Sequence, residues 1–361
     1  MSAVKYLSTR KSFFFIFIGL PAFALYLYFF AGFKQILSIL QGVSLEQYAL
    51  FYSLAISAVL IGNFFWSESW RTVLNTLSVK ISMKNSFIYY WAGYFVDLVV
   101  PCQTVCGEVT RLYLVHKETN ENYGSIAAGG VTNRIVAYII VVAGLYTSAL
   151  LLYTQSNVPT IISGVFIFVL AGATIYLAIL LYLAFSKQAA EKIASLGLRL
   201  LRILRPKKYQ SSELSAETKE SLASFYQGFK TFREKPRHLV RPFIFLTLSF
   251  LLSLSAYVLV FLALGIRGES LGFFIVMYFI AGSLTDAAAS FSVGTLDILL
   301  ATLFILYGLN PALSGITAAL VRVVTFWFPL MVGFVVVQIV GAKKLLAPRP
   351  NETIAVQQAS S

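Results

Sequence analysis

Charged residues are scarce in this chain of 361 residues: they make up 12% of it, against roughly a quarter of an ordinary soluble domain. Cysteine is scarcer still, because Cys102 and Cys106 are the only two, and two cysteines cannot build the disulfide framework of a small secreted protein. Long polar segments, in which a separate catalytic domain would fold, are also missing. These absences exclude an ordinary soluble enzyme and place any chemistry within or beside a membrane.

Hydrophobic residues, in contrast, make up 58% of the chain. Many of them stand in blocks of about 20 residues, a length that crosses the hydrocarbon layer as a helix. The clearest blocks are 13–33, 48–66, 134–153, 161–185 and 242–264. We therefore predict an all-α, multi-pass membrane protein with about eight spans. A single transmembrane domain is expected over residues 1–345, and a disordered polar tail over 346–361.

Basic residues cluster at the ends of these blocks. The net charge is +13, and residues 187–241 alone hold thirteen Lys and Arg against five Glu. Cytoplasmic segments of membrane proteins are rich in Lys and Arg, so this distribution predicts membrane orientation and gives no reason to expect a nucleic-acid partner. We expect a protein of the cell membrane with its N-terminus, the 187–241 loop and its C-terminus in the cytoplasm.

The 187–241 loop contains two amphipathic stripes at helical spacing. The first lies at 193–204 beside three arginines, and the second consists of Leu222, Phe225, Phe229 and Phe232. Such stripes either lie on an anionic membrane surface or pack on the rest of the protein. Both interpretations stay open.

The region after the second block lacks the pattern of a simple span. Its apolar run at 87–100 stops at Pro101, which removes an amide donor and breaks a helix. Gly107, Glu108 and Arg111 follow closely. Backbone groups freed by such a break need partners in protein or water, because they cannot face lipid.

Charge and crossing number indicate how this region enters the membrane. Basic residues between 71 and 84 place its start in the cytoplasm, and the following span has to begin on the same side for the 187–241 loop to be cytoplasmic. We therefore predict a broken or re-entrant helix near 87–115. A second is expected near 285–308, with Gly294 at its turn.

A few ionisable residues fall at membrane depth, where each costs on the order of 3 kcal/mol. They are Asp97, Glu108, Arg111, Arg134, Asp286, Asp297 and Arg322. Glu108 and Arg111 stand at i and i+3 and are expected to neutralise each other. Arg322 needs a partner, for which Asp297 is the first candidate and Asp286 the second. These charges form either structural ion pairs or a polar cavity in which arginines hold an anionic head group such as a phosphate.

The two halves of the chain share a loose pattern. A Gly and a carboxylate are followed by an arginine in each half, with separations of 26 residues (108 to 134) and 25 residues (297 to 322). A broken helix with a carboxylate, followed by a spanning helix with an arginine, indicates an inverted repeat with a site between the repeats.

Two stretches resemble a known family. Residues 100–139 (VPCQTVCGEVTRLYLVHKETNENYGSIAAGGVTNRIVAYI) carry a Pro, Gly-Glu, Arg and later Arg pattern. Residues 291–333 (FSVGTLDILLATLFILYGLNPALSGITAALVRVVTFWFPLMVG) carry a Gly-x-x-acid turn before an Arg, Trp and Gly span. Both resemble signatures of the lysylphosphatidylglycerol synthase transmembrane-region family, the flippase-like membrane domain of the multiple peptide resistance factor. The resemblance covers residues 10–345.

Carried over residue by residue, the resemblance points to Pro101, Gly107, Glu108, Arg111 and Arg134 in the first half, and to Gly294, Asp297, Arg322 and Gly333 in the second. Pro101, Gly107 and Gly294 are expected to shape turns. The chain departs from the family pattern at residues 290–293, which replace a Pro-Gly-Gly, at Asp297, where Glu is usual, and at Asn133, where an acid is usual. The resemblance implies translocation of lipids with polar or charged head groups, and these departures leave the head group open.

Three functions remain open. The leading hypothesis is a flippase-like transporter that moves an anionic lipid or a lipid-linked sugar between leaflets, with the substrate-binding residues Glu108, Arg111, Arg134, Asp297 and Arg322. The second is a membrane-embedded glycosyl or phosphoryl transferase. The third is a membrane anchor that holds a separate glycosyltransferase through the basic loop.

Catalytic and metal-binding side chains are few. His116 and His238 are far apart in the chain, and Cys102 and Cys106 have no further ligand nearby. We therefore expect a transporter rather than an enzyme, with no metal and no cofactor. Lysyl transfer is not expected, because it needs a soluble domain.

Overall fold

The computed structural model describes residues 41–99, 105–153, 160–186, 212–287 and 292–346. Within these ranges all regular structure is helical, which confirms the all-α prediction. The helices are α1 (Leu45–Thr76), α2 (Met83–Val99), α3 (Val105–Thr119), α4 (Tyr123–Tyr153), α5 (Thr160–Phe185), α6 (Ser212–Glu234), α7 (Val240–Ala263), α8 (Leu271–Ala287), α9 (Ser292–Leu306), α10 (Pro311–Arg322) and α11 (Phe328–Leu346). A 3-10 turn, Pro236–Leu239, precedes α7, and a π-helical turn, Val323–Trp327, joins α10 to α11.

Four helical stretches are long and apolar enough to cross a membrane: Leu45–Thr76, Tyr123–Leu151, Pro236–Ala263 and Pro311–Val340. Shorter apolar helices lie at Phe166–Tyr182, Leu271–Ser283 and Leu296–Leu306. The prediction of a multi-pass membrane protein is therefore confirmed. The predicted first span at 13–33, the break at Pro101, the 193–204 stripe and the tail from 347 onward lie outside the described residues.

The first predicted break corresponds to a pair of short helices, α2 and α3, which we call the first pair. They have 17 and 15 residues, so at 1.5 Å per residue they extend about 25 Å and 22 Å, less than the hydrocarbon thickness of about 30 Å. They run antiparallel, because Asn85 and Glu118 meet at one end (2.7 Å) while Asp97 accepts the Gly107 amide at the other (2.7 Å).

The second predicted break corresponds to α8 and α9, the second pair, which have the same lengths of 17 and 15 residues. They also pack against each other. The helices α2, α3 and α4 begin at residues 83, 105 and 123, and α8, α9 and α10 begin at 271, 292 and 311. Both halves thus follow one plan: a long helix, a short pair, and a long stretch that carries an arginine.

The two halves are inverted relative to each other. Their first long helices, α1 and α7, pack side by side in opposite directions, because the Gln47 side chain donates to the Leu262 carbonyl (2.8 Å) at one end and the Ser69 hydroxyl to the Pro242 carbonyl (3.2 Å) at the other. Near the middle, Gly62 permits the close approach, since a Cβ added there would lie 3.3 Å from the Ser249 carbonyl oxygen.

Each short pair packs on the last stretch of the opposite half. In the first pair, α2 packs against α11, where Phe95 covers Gly333; in the second, α8 packs against α4, where the ring of Phe279 covers Gly144. These two contacts, together with the antiparallel packing of α1 on α7, make the fold an inverted repeat. In such folds a site forms between the two halves.

Helix α6 contains the second amphipathic stripe of the 187–241 loop, for which the sequence leaves packing on the membrane surface or on the protein open. It packs on the start of α4, with Gly124 against the Ser221 backbone and Gly228 against Ala128, and Phe232 of its apolar stripe is buried. The second stripe of the 187–241 loop therefore packs on the protein itself.

Candidate functional site

The first half contributes a cluster of four charged side chains. Glu108 is at its centre: its Oε1 accepts from Arg111 Nη1 at 2.7 Å and from Arg134 Nη2 at 3.0 Å. The other end of the Arg111 guanidinium donates to Asp97 Oδ2 at 3.2 Å. Three helices supply these groups, because Asp97 is in α2, Glu108 and Arg111 are in α3, and Arg134 is in α4. The predicted i,i+3 pair of Glu108 and Arg111 is present and belongs to a larger network.

Two glycines allow this cluster to form. A Cβ added to Gly93 would lie 2.5 Å from Arg111 Nε and 2.8 Å from the Gly107 carbonyl oxygen, so the arginine stem passes through space that a side chain would fill. A Cβ added to Gly107 would collide with the Asp97 carboxylate, whose Oδ1 instead accepts the Gly107 amide. Gly107 is the third residue of α3 and lies where α3 crosses α2. Pro101, at which a break is predicted, lies outside the described residues.

The second half contributes one closed ion pair. Arg322 Nε donates to Asp297 Oδ1 at 2.9 Å, and the two side chains are only 9% and 4% exposed. Asp297 is therefore the partner expected for Arg322. Gly294, in the equivalent place to Gly107, is the third residue of α9.

Local structure places Arg322 where its helix changes form. Asn310 caps α10 by accepting the Ala312 amide, and Pro311 occupies the first helical position, so the start of α10 is well defined. Arg322 is the last residue of α10, and the π-helical turn that follows puts Phe326 under its guanidinium at 4.4 Å. Such π turns are rare and often occur at functional sites.

A cavity of about 320 Å³ joins the two clusters. The charged residues that line it come from both halves: Asp97, Glu108, Arg111, Arg134 and Arg322. Much of the remaining wall is aromatic, formed by Trp66, Tyr90, Tyr94, Tyr138, Phe250, Tyr257, Tyr278 and Phe279. The charges are thus arranged around a hollow at the interface of the repeats rather than sealed in solid packing.

Exposure differs between the charged groups. Glu108 is 32% exposed and Arg134 18%, whereas Asp97 and Arg111 are 10% and 7% exposed. Asp297 is buried behind Arg322 and does not line the cavity. Access from the hollow is therefore greatest at Glu108 and Arg134.

Sequence reasoning missed two components of the site. Sequence spacing marks Asp97 as a charge at membrane depth but does not place it in the site, because it lies in a different helix from its partner Arg111. Tyr90, whose ring lies 5.2 Å from the Arg111 guanidinium carbon, gave no signal among 20 tyrosines. The side chain of Asp286, the second candidate partner of Arg322, lies outside the described residues.

Metal binding finds no support in the described ranges, where no three His, Cys, Asp or Glu side chains come close enough to hold an ion. The charged groups pair with arginines instead. Their arrangement is suited to ionic recognition, because each guanidinium presents several donors in a fixed plane that matches a carboxylate or a phosphate.

The fold and the cavity define a helical membrane protein made of two inverted halves around a charged hollow. The chain belongs to the family described as the lysylphosphatidylglycerol synthase TM region, whose model matches residues 16–333. It is similar to the UPF0104 membrane protein PH1989 of Pyrococcus horikoshii, with 24% identity over 335 residues that cover 91% of this chain and 96% of that protein. No solved structure matches the chain.

Proposed function

We propose that this protein binds a lipid with an anionic head group, either a phospholipid or a lipid-linked sugar, and moves it between the leaflets of the cell membrane. One observation carries this proposal: a single cavity is lined by Arg111 and Arg134 of one half and by Arg322 of the other. Charged side chains at membrane depth are costly, and they are retained where a polar cargo passes.

The size and lining of the cavity support a head-group site. A volume of about 320 Å³ lies at the lower end of the range of small-molecule pockets, which begins at about 300 Å³. It is suited to a phosphate with a glycerol or one sugar, while the acyl chains stay in the surrounding lipid. The aromatic side chains offer flat apolar faces for the uncharged part of the head group.

The architecture supports movement as well as binding. Inverted repeats around a central site are the usual construction of alternating-access carriers, because exchanging the conformations of the halves opens the site to the other side. The helices of the two short pairs are shorter than the hydrocarbon layer, and each pair packs on the opposite half. A displacement of either pair would therefore change the interface that encloses the cavity.

The packing of α1 on α7 supports the predicted orientation. The end of α1 lies beside the start of α7, since Ser69 bonds to Pro242, and basic residues flank both ends, at 71, 80 and 84 and at 235, 237 and 241. This shared basic side is assigned to the cytoplasm by the positive-inside rule. The N-terminus, the 187–241 loop and the C-terminus are assigned to that side as well.

Proteoliposomes test this proposal. Purified protein is reconstituted with fluorescent phosphatidylglycerol, and the fraction of label that an external quencher reaches over time reports movement between leaflets. Arg134→Gln and Arg322→Gln each remove a charged hydrogen bond worth about 1.5–3 kcal/mol, so each is expected to slow movement by about tenfold or more.

Arg241→Gln is the matched control, because Arg241 is exposed, stacks on Phe245 and does not line the cavity. Its rate should equal that of the wild type, and elution as a single species should show that all variants are folded. Movement no faster than in protein-free liposomes would overturn the proposal, and so would undiminished movement in both cavity variants.

A further inference from the structure

Among the side chains that the structure describes, the charges at the cavity are balanced before any cargo enters. Three carboxylates, Asp97, Glu108 and Asp297, are matched by Arg111, Arg134 and Arg322 in contacts of 2.7 to 3.2 Å. A phosphate monoanion that entered this hollow would add one uncompensated negative charge. Burying an unpaired charge is strongly unfavourable, so anion binding requires that one negative charge be removed at the same time.

Glu108 is the carboxylate in the position that an anionic cargo would take. A single oxygen, Oε1, accepts from two guanidiniums, those of Arg111 and Arg134. A phosphate oxygen binds between two arginines in the same way. Glu108 is also the most accessible acid of the site at 32% exposure.

The other two carboxylates are held more firmly. Asp97 accepts the backbone amide of Gly107 in addition to its contact with Arg111, and it is 10% exposed. Asp297 is 4% exposed and is separated from the cavity by Arg322. If either aspartate left its arginine, a buried charged group would lose its partner. The Glu108 side chain, in contrast, can turn into the hollow.

We propose that Glu108 is an internal counter-anion, and that the head-group phosphate replaces it between Arg111 and Arg134 while the displaced carboxylate takes up one proton from solvent. This inference rests on the proposed function. The step forms one O–H bond, exchanges one set of ionic hydrogen bonds for another and involves no oxidation. Head-group binding and proton uptake become a single event, and the loaded site stays neutral.

The groups around Glu108 favour this exchange. Those that face it are Asp97 and Tyr90 from α2, Arg111 on its own helix, Arg134 from α4, and Arg322 across the cavity. When a phosphate engages the two nearest arginines, Glu108 loses its positive partners and gains a negative neighbour. Both changes favour the protonated carboxyl. A proton gradient across the membrane then biases the direction of lipid movement.

Calorimetry of the purified protein in detergent micelles tests this inference, with short-chain phosphatidylglycerol as the probe. Titrations in two buffers of different ionisation enthalpy give the number of protons taken up per lipid. The wild type is expected to take up about one proton, so that the dissociation constant rises up to about tenfold per pH unit where the linked carboxyl titrates. A short-chain diacylglycerol, which has no phosphate, should cause no uptake.

Two carboxylate-to-amide variants assign the proton. Glu108→Gln is expected to bind the probe without proton uptake and with an affinity independent of pH, because its amide is neutral before and after displacement. Glu118→Gln, the same change at an acid of the same helix that does not line the cavity, should still take up about one proton.

The outcomes separate this inference from the proposed function. Probe binding to the wild type without proton uptake would overturn the inference and leave the proposed function intact. Uptake that persists in Glu108→Gln would also overturn it, because another group would then be the acceptor. Failure of the wild type to bind the probe would overturn both. The wild-type proton count decides the matter even where a variant fails to fold.

Discussion

The two short helix pairs have the same lengths and equivalent places in the inverted repeat, yet they hold charge differently. The first pair, together with Arg134 of α4, forms a network of two carboxylates and two arginines that reaches the cavity through Glu108 at 32% exposure. The second pair contributes Asp297, whose described ion pair with Arg322 of α10 is almost fully buried. The same arrangement of helices therefore carries an accessible ionic network in one half and a buried ion pair in the other.

This difference assigns distinct roles to the halves. Glu108 is shared between two arginines, so losing one of them leaves it with the other. Asp297 is 4% exposed and paired with Arg322, so loss of that arginine leaves a carboxylate with almost no access to solvent. We expect the first half to exchange partners with a cargo and the second half to hold its pair through the transport cycle.

The largest effect should come from breaking the closed pair. Arg322→Ala leaves the Asp297 carboxylate buried, and removing one partner of a buried ion pair costs about 3–5 kcal/mol in the free energy of unfolding. Arg134→Ala should cost only about 1–2 kcal/mol, because Glu108 keeps Arg111. Unfolding by denaturant in detergent micelles measures both.

The double variant Asp297→Asn with Arg322→Gln serves as the control for that measurement. It removes both charges together, so it should recover part of the stability that Arg322→Ala loses. If Arg322→Ala and Arg134→Ala lowered the free energy of unfolding equally, the proposed difference between the halves would be contradicted.

A smaller effect should come from the helix crossing of the first pair. Gly93→Ala pushes a Cβ against Arg111 Nε and the Gly107 carbonyl, and overpacking of this kind costs about 1–3 kcal/mol. The position at the same distance from the start of the second pair is Ala281, where a buried Cβ is present. Thermal stability should fall and head-group affinity should weaken, because Arg111 is displaced.

Gly172→Ala is the matched change for Gly93→Ala. Gly172 lies in α5, and no atom of the described residues lies within 4 Å of a Cβ added there. The variant should therefore be neutral or slightly more stable, because alanine is the better helix former. If Gly93→Ala matched Gly172→Ala in stability and in head-group affinity, the helix crossing would not position the arginine.

The smallest effect should come from Gly144→Ala, the weaker of two changes at contacts between the halves. At Gly333 an added Cβ would lie 2.7 Å from the Cβ of Phe95, which cannot move without its helix, so Gly333→Ala should cost about 1–3 kcal/mol. At Gly144 the contact is the ring of Phe279, which can rotate away, so Gly144→Ala should cost less than about 1 kcal/mol. Melting temperatures of the two variants test the order, and a reversed order would contradict it.

Much of the architecture was predictable because hydropathy is a local property. Blocks of apolar residues identified membrane helices, and the apolar run at 87–100 predicted the helix that the structure describes as α2, Met83–Val99. The predicted break at Pro101 itself lies outside the described residues. Helical spacing predicted the ion pair of Glu108 with Arg111. The need of a buried Arg322 for a partner predicted its ion pair with Asp297. These inferences used spacing within an element or the cost of one unpaired charge.

Other parts of the site were not predictable, because they depend on how separate elements meet. The contact of Asp97 with Arg111 crosses a helix break, and the contact of Glu108 with Arg134 joins two helices. The α6 stripe was equally compatible with a membrane surface and with the protein. Tyr90 was one aromatic residue among many until the fold placed it beside Arg111.

Composition and periodicity alone thus determined that the chain is helical, that it lies in a membrane, and which charges are too costly to be there without a purpose. Only the tertiary structure decided that acids and arginines of two inverted halves surround one hollow, and that Glu108 occupies the place between two guanidiniums. The physical reason is range: burial and helix formation act over a few neighbouring residues, whereas a cavity exists only where distant helices fail to close against each other.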